Sequence, residues 1–377
     1  MQAGCSRRVE VAATDAVPMV RFPQKVPLHA LNDRAPLLET PWEYFRHDLT
    51  PNEAFYVRWH LEAIPTHVDL RTWRLRIGGH VERPLELSMS DLRRMDAASL
   101  VAVNQCSGNS RSFFSPRIPG GQWLNGAMGN ARWTGVRLGE LLKKAGPRAG
   151  AMQVSLDGLD TAPLPSVPDF LKALTIEHAR QEEVIVAYEM NGAPLPLLNG
   201  FPVRLIVPGW YATYWVKALT NITVLDRAFT GYWMATAYHI PATPGADESP
   251  EAPAKKTVPI NRMNVRSFFV RPVQGEQIPA GQSFLLEGIA FDGGSGIQLV
   301  EFSADGGNTW TTTRLDPDLG RFSFRRCRYE WTPPNRGEYR LKLRATSNAG
   351  EVQPTRANWN RGGYMRNVIE EISVTAV

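Results

Sequence analysis

Cysteine is scarce in this chain of 377 residues, and the three that occur, Cys5, Cys106 and Cys327, stand too far apart to suggest a disulfide framework. CxxC, HExxH, Walker and GxGxxG sequences are all missing, and the seven histidines are scattered without zinc-ligand spacing. These absences exclude the common thiol-redox, zinc, phosphate-loop and dinucleotide readings. No run of about 18 apolar residues exists, so no membrane-spanning helix is expected. A net charge of +5 is modest and its basic residues are dispersed, which leaves no nucleic-acid footprint but remains compatible with a small anionic substrate. Internal repeats and heptads are absent too.

What is present is a globular composition, 43% hydrophobic and 21% charged, with eleven tryptophans and twenty-nine prolines that favour loop-rich β structure. The length predicts two domains. Residues 240–259, IPATPGADESPEAPAKKTVP, carry five prolines and mixed charges that suit neither a helix nor a central strand, and read as a linker. The expected organisation is a loosely held tail at 1–27, a first domain at 28–245, a linker at 246–259 and a second domain at 260–377. Ser6-Arg7-Arg8 resembles the start of a twin-arginine leader, but Glu10 and the short run after it cannot form its apolar core, so a leader is expected to be missing here.

Trp73, Leu75 and Ile77 alternate with arginines, as in a half-buried strand. Ser90 is a candidate N-cap for a short helix around Leu92, and residues 99–103 form an apolar run of buried-strand length that leads into Cys106. Leu138, Leu141, Leu142 and Ala145 fall at helical spacing before Gly146-Pro147. Residues 184–187 and 203–207 predict further buried strands. After the linker the pattern changes to short alternating strands separated by DGG and DGGN turns, including Tyr339, Leu341, Leu343 and Ala345 on one face. That spacing predicts an all-β sandwich of immunoglobulin-like type with its own core.

Cys106 on its own reads either as a packed core thiol or as a soft metal ligand. Its setting, NQCSGNSR, is a polar loop leaving a strand, with Arg111 near enough to favour a thiolate. In FYVRWH, residues 55–60, Arg58 and His60 alternate so that a strand would turn both to one face, where they could grip an anion; a solvated arginine beside a packed histidine is the plainer alternative.

These segments, with NGAMGNARWTGVRL, AYEMNGAPLPLLNGFPVRLIVPGW, WVKAL, GYWMATAYHIP, ADGGNTW and RANWNRGGYMRN, resemble in order the sulfite oxidase family of molybdenum enzymes, nearest to its bacterial sulfite dehydrogenases. The resemblance runs from about residue 28 onward. It implies an α+β molybdopterin domain followed by an all-β immunoglobulin-like dimerisation domain. It also implies Cys106 as the metal ligand of a molybdenum–molybdopterin cofactor, with no haem in this chain. Pterin contacts are implied for Tyr56, Val57, Arg58, Trp59, His60, Asp160, Asn199, Arg204, Trp215, Val216 and Lys217. Asn199 stands where animal relatives carry histidine. Substrate contacts are implied for Arg58, Arg111, Trp123 and Tyr238. Arg361, in a WNRG one residue shorter than the vertebrate WNxRG, is a further candidate whose reach is left open. The implied reaction is sulfite to sulfate, with electrons leaving singly to a separate c-type cytochrome in the periplasm, from a homodimer or a heterodimer with the cytochrome subunit. Nitrate or sulfoxide chemistry on the same fold, and a non-enzymatic binding protein, are the alternatives.

Overall fold

A computed structural model of the chain describes residues 19–20, 24–32, 36–162, 164 and 166–377. Cys5 and the twin-arginine segment lie outside these residues.

Two five-stranded sheets, one mixed and one antiparallel, form the body of the first domain. In one, Lys172–Thr175, Gln153–Asp157, Asn221–Leu225, Leu75–Gly79 and Leu85–Leu87 lie side by side. The alternation expected around Leu75 and Ile77 is realised, both side chains being buried while Arg76 faces out. This strand runs parallel to Asn221–Leu225, with Ile77 opposite Ile222. In the other sheet, Ala193–Pro194, Ile185–Met190, Met128–Arg137 and Ala97–Gln105 are neighbours, and Arg204–Ile206 also pairs with Ile185–Met190. The long pairing of Ala97–Gln105 with Met128–Arg137 ends at Gln105 opposite Met128. Cys106 stands one residue beyond, its amide still held by the Ala127 carbonyl at 2.9 Å. A sheet end of this kind fixes the backbone of a residue while freeing its side chain for a site.

The helix expected before Gly146 spans Leu138–Ala145, buries all four periodic residues, and ends as Gly146 turns left-handed at φ 69°. The short helix at Leu92 begins earlier than expected. Its cap is Ser88, not Ser90: the Ser88 hydroxyl accepts from the Asp91 amide and the Asp91 carboxylate accepts from the Ser88 amide, closing a capping box.

The proline-rich segment is no slack tether. His239–Pro241 pairs antiparallel with Thr257–Pro259, and a 3-10 turn, Pro244–Ala246, lies between. Its prolines sit in a two-stranded ribbon, where a missing N–H costs no interior ladder bond. The ribbon's loop is fastened to the second domain: Asp247 accepts from Arg356 at 2.6 Å and from the Trp359 amide at 2.8 Å.

The second domain is a β-sandwich. Arg266–Arg271, Phe284–Phe291, Arg325–Trp331 and Arg314–Leu315 form one sheet; Gln277–Ile278, Glu371–Ala376, Gly337–Ser347, Ile297–Ser303 and Thr311–Thr312 form the other. Val265, Phe269, Leu286, Val300, Leu341 and Leu343 fill the space between. The outer face of the first sheet is equally dry, since Phe268, Val270, Ile289 and Phe291 belong to the core that also holds Phe45 and Trp133 of the first domain. Five consecutive residues from Arg266 to Val270 are therefore buried, as a strand covered on both faces requires. Arg46–Glu287 and Arg326–Asp48, each at 2.7 Å, rim this shared core.

Candidate active site

Cys106 opens into a narrow cleft of about 470 Å³, mouth included, lined also by Tyr56, Arg58, His60, Asn199, Arg204, Trp215, Lys217 and Tyr238. The strand expected over FYVRWH is only two residues long, Val57–Arg58, set by pairing with Leu38 and Leu37. Alternation nevertheless does what was expected of it, since Arg58 and His60 both face the cleft. Tyr56 is fixed from two sides: its amide donates to Thr40 Oγ1 at 3.0 Å and its hydroxyl to Asn104 Oδ1 at 2.6 Å.

At the cysteine end, the Tyr238 hydroxyl meets His60 Nε2. Tyr238 holds φ 58°, a left-handed conformation that a bulky side chain adopts only when its surroundings enforce it. The Tyr238 carbonyl accepts from the Ile260 amide at 2.8 Å, and from the second domain Tyr364 stacks on its ring with centroids 5.4 Å apart. Burial pushes the Tyr238 phenol well above its usual range, so it stays a proton carrier at neutral pH. His60 is stacked on Phe170 at 3.7 Å; burial, with help from the Arg58, Lys217 and Lys172 charges, holds its pKa well below the ordinary value. The imidazole is neutral, and only one proton is shared along the His60–Tyr238 contact.

The cleft also carries cations. Arg204 is buried, donating to the Asn199 carbonyl at 3.0 Å and the Trp215 carbonyl at 3.2 Å. Lys217 lies over the Trp59 ring at 4.4 Å. Burial lowers the Lys217 ammonium to about 7 and the Arg204 guanidinium to about 10, while Asp160, pushed up to about 6 by its own burial, offsets Lys217 only in part. Among the described residues no carboxylate lines the cleft. Such a set is complementary to a bound anion, which would offset the desolvation of Arg204 and Lys217.

Five cleft residues also hold buried polar atoms without a protein partner: His60 Nδ1, Asn104 Nδ2, Ser107 Oγ, Arg204 Nε and Thr213 Oγ1. Each such group costs about 1–3 kcal/mol when left unmade, so their convergence marks the contact surface of a polar ligand. No group of three or more His, Cys, Asp or Glu side chains converges among the described residues. One thiol beside a polar, cation-lined cleft suits a metal whose other ligands arrive with an anionic cofactor, and the residues present fit molybdopterin in that sense.

Several expected site residues lie elsewhere. Val57 and Trp59 are buried in a small core with Leu28 and Leu38, and Val216 and Trp123 in the main core, all behind the cleft wall. Trp59 does contribute indirectly, its indole N–H holding the Leu198 carbonyl at 3.0 Å. Asp160 approaches Lys217 but does not line the cleft. Arg111 is behind Tyr364, with its guanidinium 5.3 Å from that ring and donating to the Gly121 and Gly362 carbonyls at 3.3 and 2.9 Å. A Cβ on Gly108 would meet its Nη2 at 2.5 Å, and one on Gly363 its Nε at 2.7 Å, so these glycines are the slot that holds it. Arg361 turns away altogether, its Nε donating to Glu248 at 3.1 Å on the ribbon loop. Conversely, Lys25, Asn104, Ser107, Phe170, Lys172, Thr213 and Tyr364 belong to the site or its walls and were not anticipated. Asn104 and Ser107 flank Cys106 and carried a positional signal; the others are brought in by tertiary folding.

Residues 60–233 match the oxidoreductase molybdopterin binding domain and residues 257–376 the Mo-co oxidoreductase dimerisation domain. The protein is thus a molybdenum-cofactor oxidoreductase. It is 33% identical over 376 residues to sulfite oxidase of Gallus gallus, spanning 94% of this chain and 80% of that protein. With the mitochondrial sulfite oxidase of Rattus norvegicus it shares 30% over 382 residues, 96% of this chain and 68% of the other. The chain belongs to the sulfite oxidase family. The same fold is seen in the crystal structure of the sulfane dehydrogenase SoxCD from Paracoccus pantotrophus, with a TM-score of 0.77 at 24% identity over 98% of this chain and 92% of that one. No helix among the described residues is long and apolar enough to cross a membrane.

Proposed function

We propose that this protein oxidises sulfite to sulfate, with Cys106 as the protein ligand to molybdenum, and passes the electrons singly to a separate c-type cytochrome. The observation that carries the reading is the convergence of the Cys106 thiol, Arg58 and the His60–Tyr238 pair in one cleft that Arg204 and Lys217 also line. Sulfite and water together give sulfate, two protons and two electrons; the bound cofactor supplies the redox centre for this exchange. The chain's own residues do the rest. Arg58 offers an uncompensated charge to the sulfite oxygens, which would otherwise not leave water. Tyr238, its hydroxyl tied to neutral His60, orients the water or product oxygen and carries a proton toward the histidine. Arg111 holds Tyr364 and the 360–365 loop, and so the stack that keeps Tyr238 in place. Arg204, Lys217 and Asn199 grip the anionic end of the pterin.

The second domain is read as immunoglobulin-like and as the contact of a dimer, in keeping with its family. The chain has no haem-attachment CxxCH, which favours an external cytochrome, and that acceptor places the protein in the periplasm in our reading. The deciding experiment is sulfite-dependent reduction of ferricyanide and of cytochrome c by molybdenum-replete protein. Turnover with nitrate or a sulfoxide as oxidant, without sulfite oxidation, would overturn the assignment.

A further inference from the structure

Lys25 lies in the segment read from sequence as a loose tail, yet it is 6% exposed and all three ammonium protons are used. It donates to the Asn52 carbonyl at 2.6 Å, to the Phe55 carbonyl at 3.1 Å and to Asn199 Oδ1. An ammonium is only a donor, so the Asn199 amide must turn its oxygen toward Lys25. The other end agrees, since Asn199 Nδ2 donates to the Tyr56 carbonyl at 3.0 Å. Two independent partners thus fix the amide orientation. Asn199 lines the cleft, and an amide nitrogen has a second proton that Tyr56 does not use.

We propose that Lys25 is a positioning residue for the cofactor: it selects the donor end of Asn199 for the cleft and strengthens that donor by polarising the amide oxygen. With the ammonium absent, only the Tyr56 carbonyl still holds the amide, its oxygen is left without its charged partner, and the donor turned to the cleft is weaker and less firmly fixed beside Arg204 and Lys217. Lys25 is not part of the lining, and the cleft residue to which it donates a hydrogen bond is Asn199. The position needs the chain before the first domain to be anchored, and it is: the Val26 amide donates to the Glu53 carbonyl at 2.9 Å. Burial lowers Lys25 to about 7, partly countered by Glu53, so an anion at the cleft would also secure its charge.

The inference rests on the cofactor reading above, and its test separates the two. Molybdopterin release from the holoenzyme is followed by fluorescence of the oxidised pterin in the filtrate, for wild type, Lys25→Met, Asn199→Ala, the double variant and Asn199→Asp. Lys25→Met is expected to release pterin at least about tenfold faster, consistent with loss of one charge-assisted contact. In the Asn199→Ala background the same substitution should add less than about twofold, because the effect runs through the amide. Asn199→Asp keeps the Lys25 contact but gives up the donor to the Tyr56 carbonyl and turns a charge of the wrong sign to the cleft, and it should release pterin faster than wild type. Additive effects of Lys25→Met and Asn199→Ala, or wild-type release from Lys25→Met, would overturn the positioning role alone. If Lys25→Met does not fold, wild-type release from Asn199→Asp overturns it instead. Wild-type protein that carries no pterin when produced in a host that makes it would overturn both readings.

Discussion

Replacing Arg58 by glutamine tests the substrate assignment most directly. The substitution keeps a polar side chain of similar reach on the strand Val57–Arg58 but removes its charge and fork of donors. Among the described residues no carboxylate lines the cleft to be left unpaired by the change. Arg111 cannot take over, because its guanidinium is engaged by the Gly121 and Gly362 carbonyls and confined by Gly108 and Gly363. A contact between a charged donor and a desolvated anion contributes about 1.5–3 kcal/mol, or roughly a tenfold to hundredfold change in affinity. The KM for sulfite should therefore rise at least about tenfold, measured by ferricyanide reduction at fixed ionic strength. A second signature follows from His60, which Arg58 helps to keep neutral. Losing that charge raises the imidazole pKa, so any acid limb of kcat/KM that reports His60 protonation should move to higher pH in the variant. Arg76→Gln, on the solvent face of Leu75–Gly79 and paired only with exposed Glu86 at 3.8 Å, is the charge control. Long-range steering would affect both variants and fade with salt, whereas direct contact would not. An unchanged KM for Arg58→Gln would refute the reasoning and remove Arg58 from the substrate site.

Cys106→Ser should fold and retain pterin, as the change is nearly isosteric, but lose at least about a hundredfold in sulfite turnover because an alcohol is a poor ligand for a soft metal; pterin content and rate are measured on the same sample. Lys25, Lys172 and Lys217 are each lowered by burial to about 7, so between pH 7 and their unfolded value near 10.5 the unfolded chain binds more protons and stability rises with pH. Glu39 and Asp160, raised to about 8 and about 6, act in the opposite sense at lower pH, which leaves the lysine contribution cleanest above pH 8. The melting temperature of cofactor-free protein should climb from pH 8 to 9.5, and less in the holoenzyme, where the anion keeps the lysines charged; a falling midpoint would contradict this. Ending the chain at residue 259 removes Phe268, Val270, Ile289 and Phe291 from the shared core and Tyr364 from Tyr238. Near-ultraviolet circular dichroism should then show lost tertiary packing, and a native-like spectrum would show the first domain to be self-sufficient.

Local pattern was enough to read much of this protein. The helix at Leu138–Ala145, the strands leading to Cys106 and through Leu75–Gly79, and the paired sheets of the sandwich follow from periodicity and turn residues, because a helix or strand reports its buried face in its own spacing. Motif order was enough to place Cys106, Arg58, His60, Asn199, Arg204, Lys217 and Tyr238 as candidates, and these do line one cleft. Which arginine faces that cleft was a different matter. Arg58, Arg111 and Arg361 are alike as letters, yet Arg111 is threaded between glycines from three separate segments and Arg361 is held outward by Glu248 of a ribbon read as a linker. Lys25 carried no signal and Tyr364 only its place in a family segment, since each acts through a partner more than a hundred residues away, Asn199 and Tyr238 respectively. The direction of a side chain depends on which distant carbonyls, carboxylates and rings surround it, and only the closed tertiary structure brings those groups together.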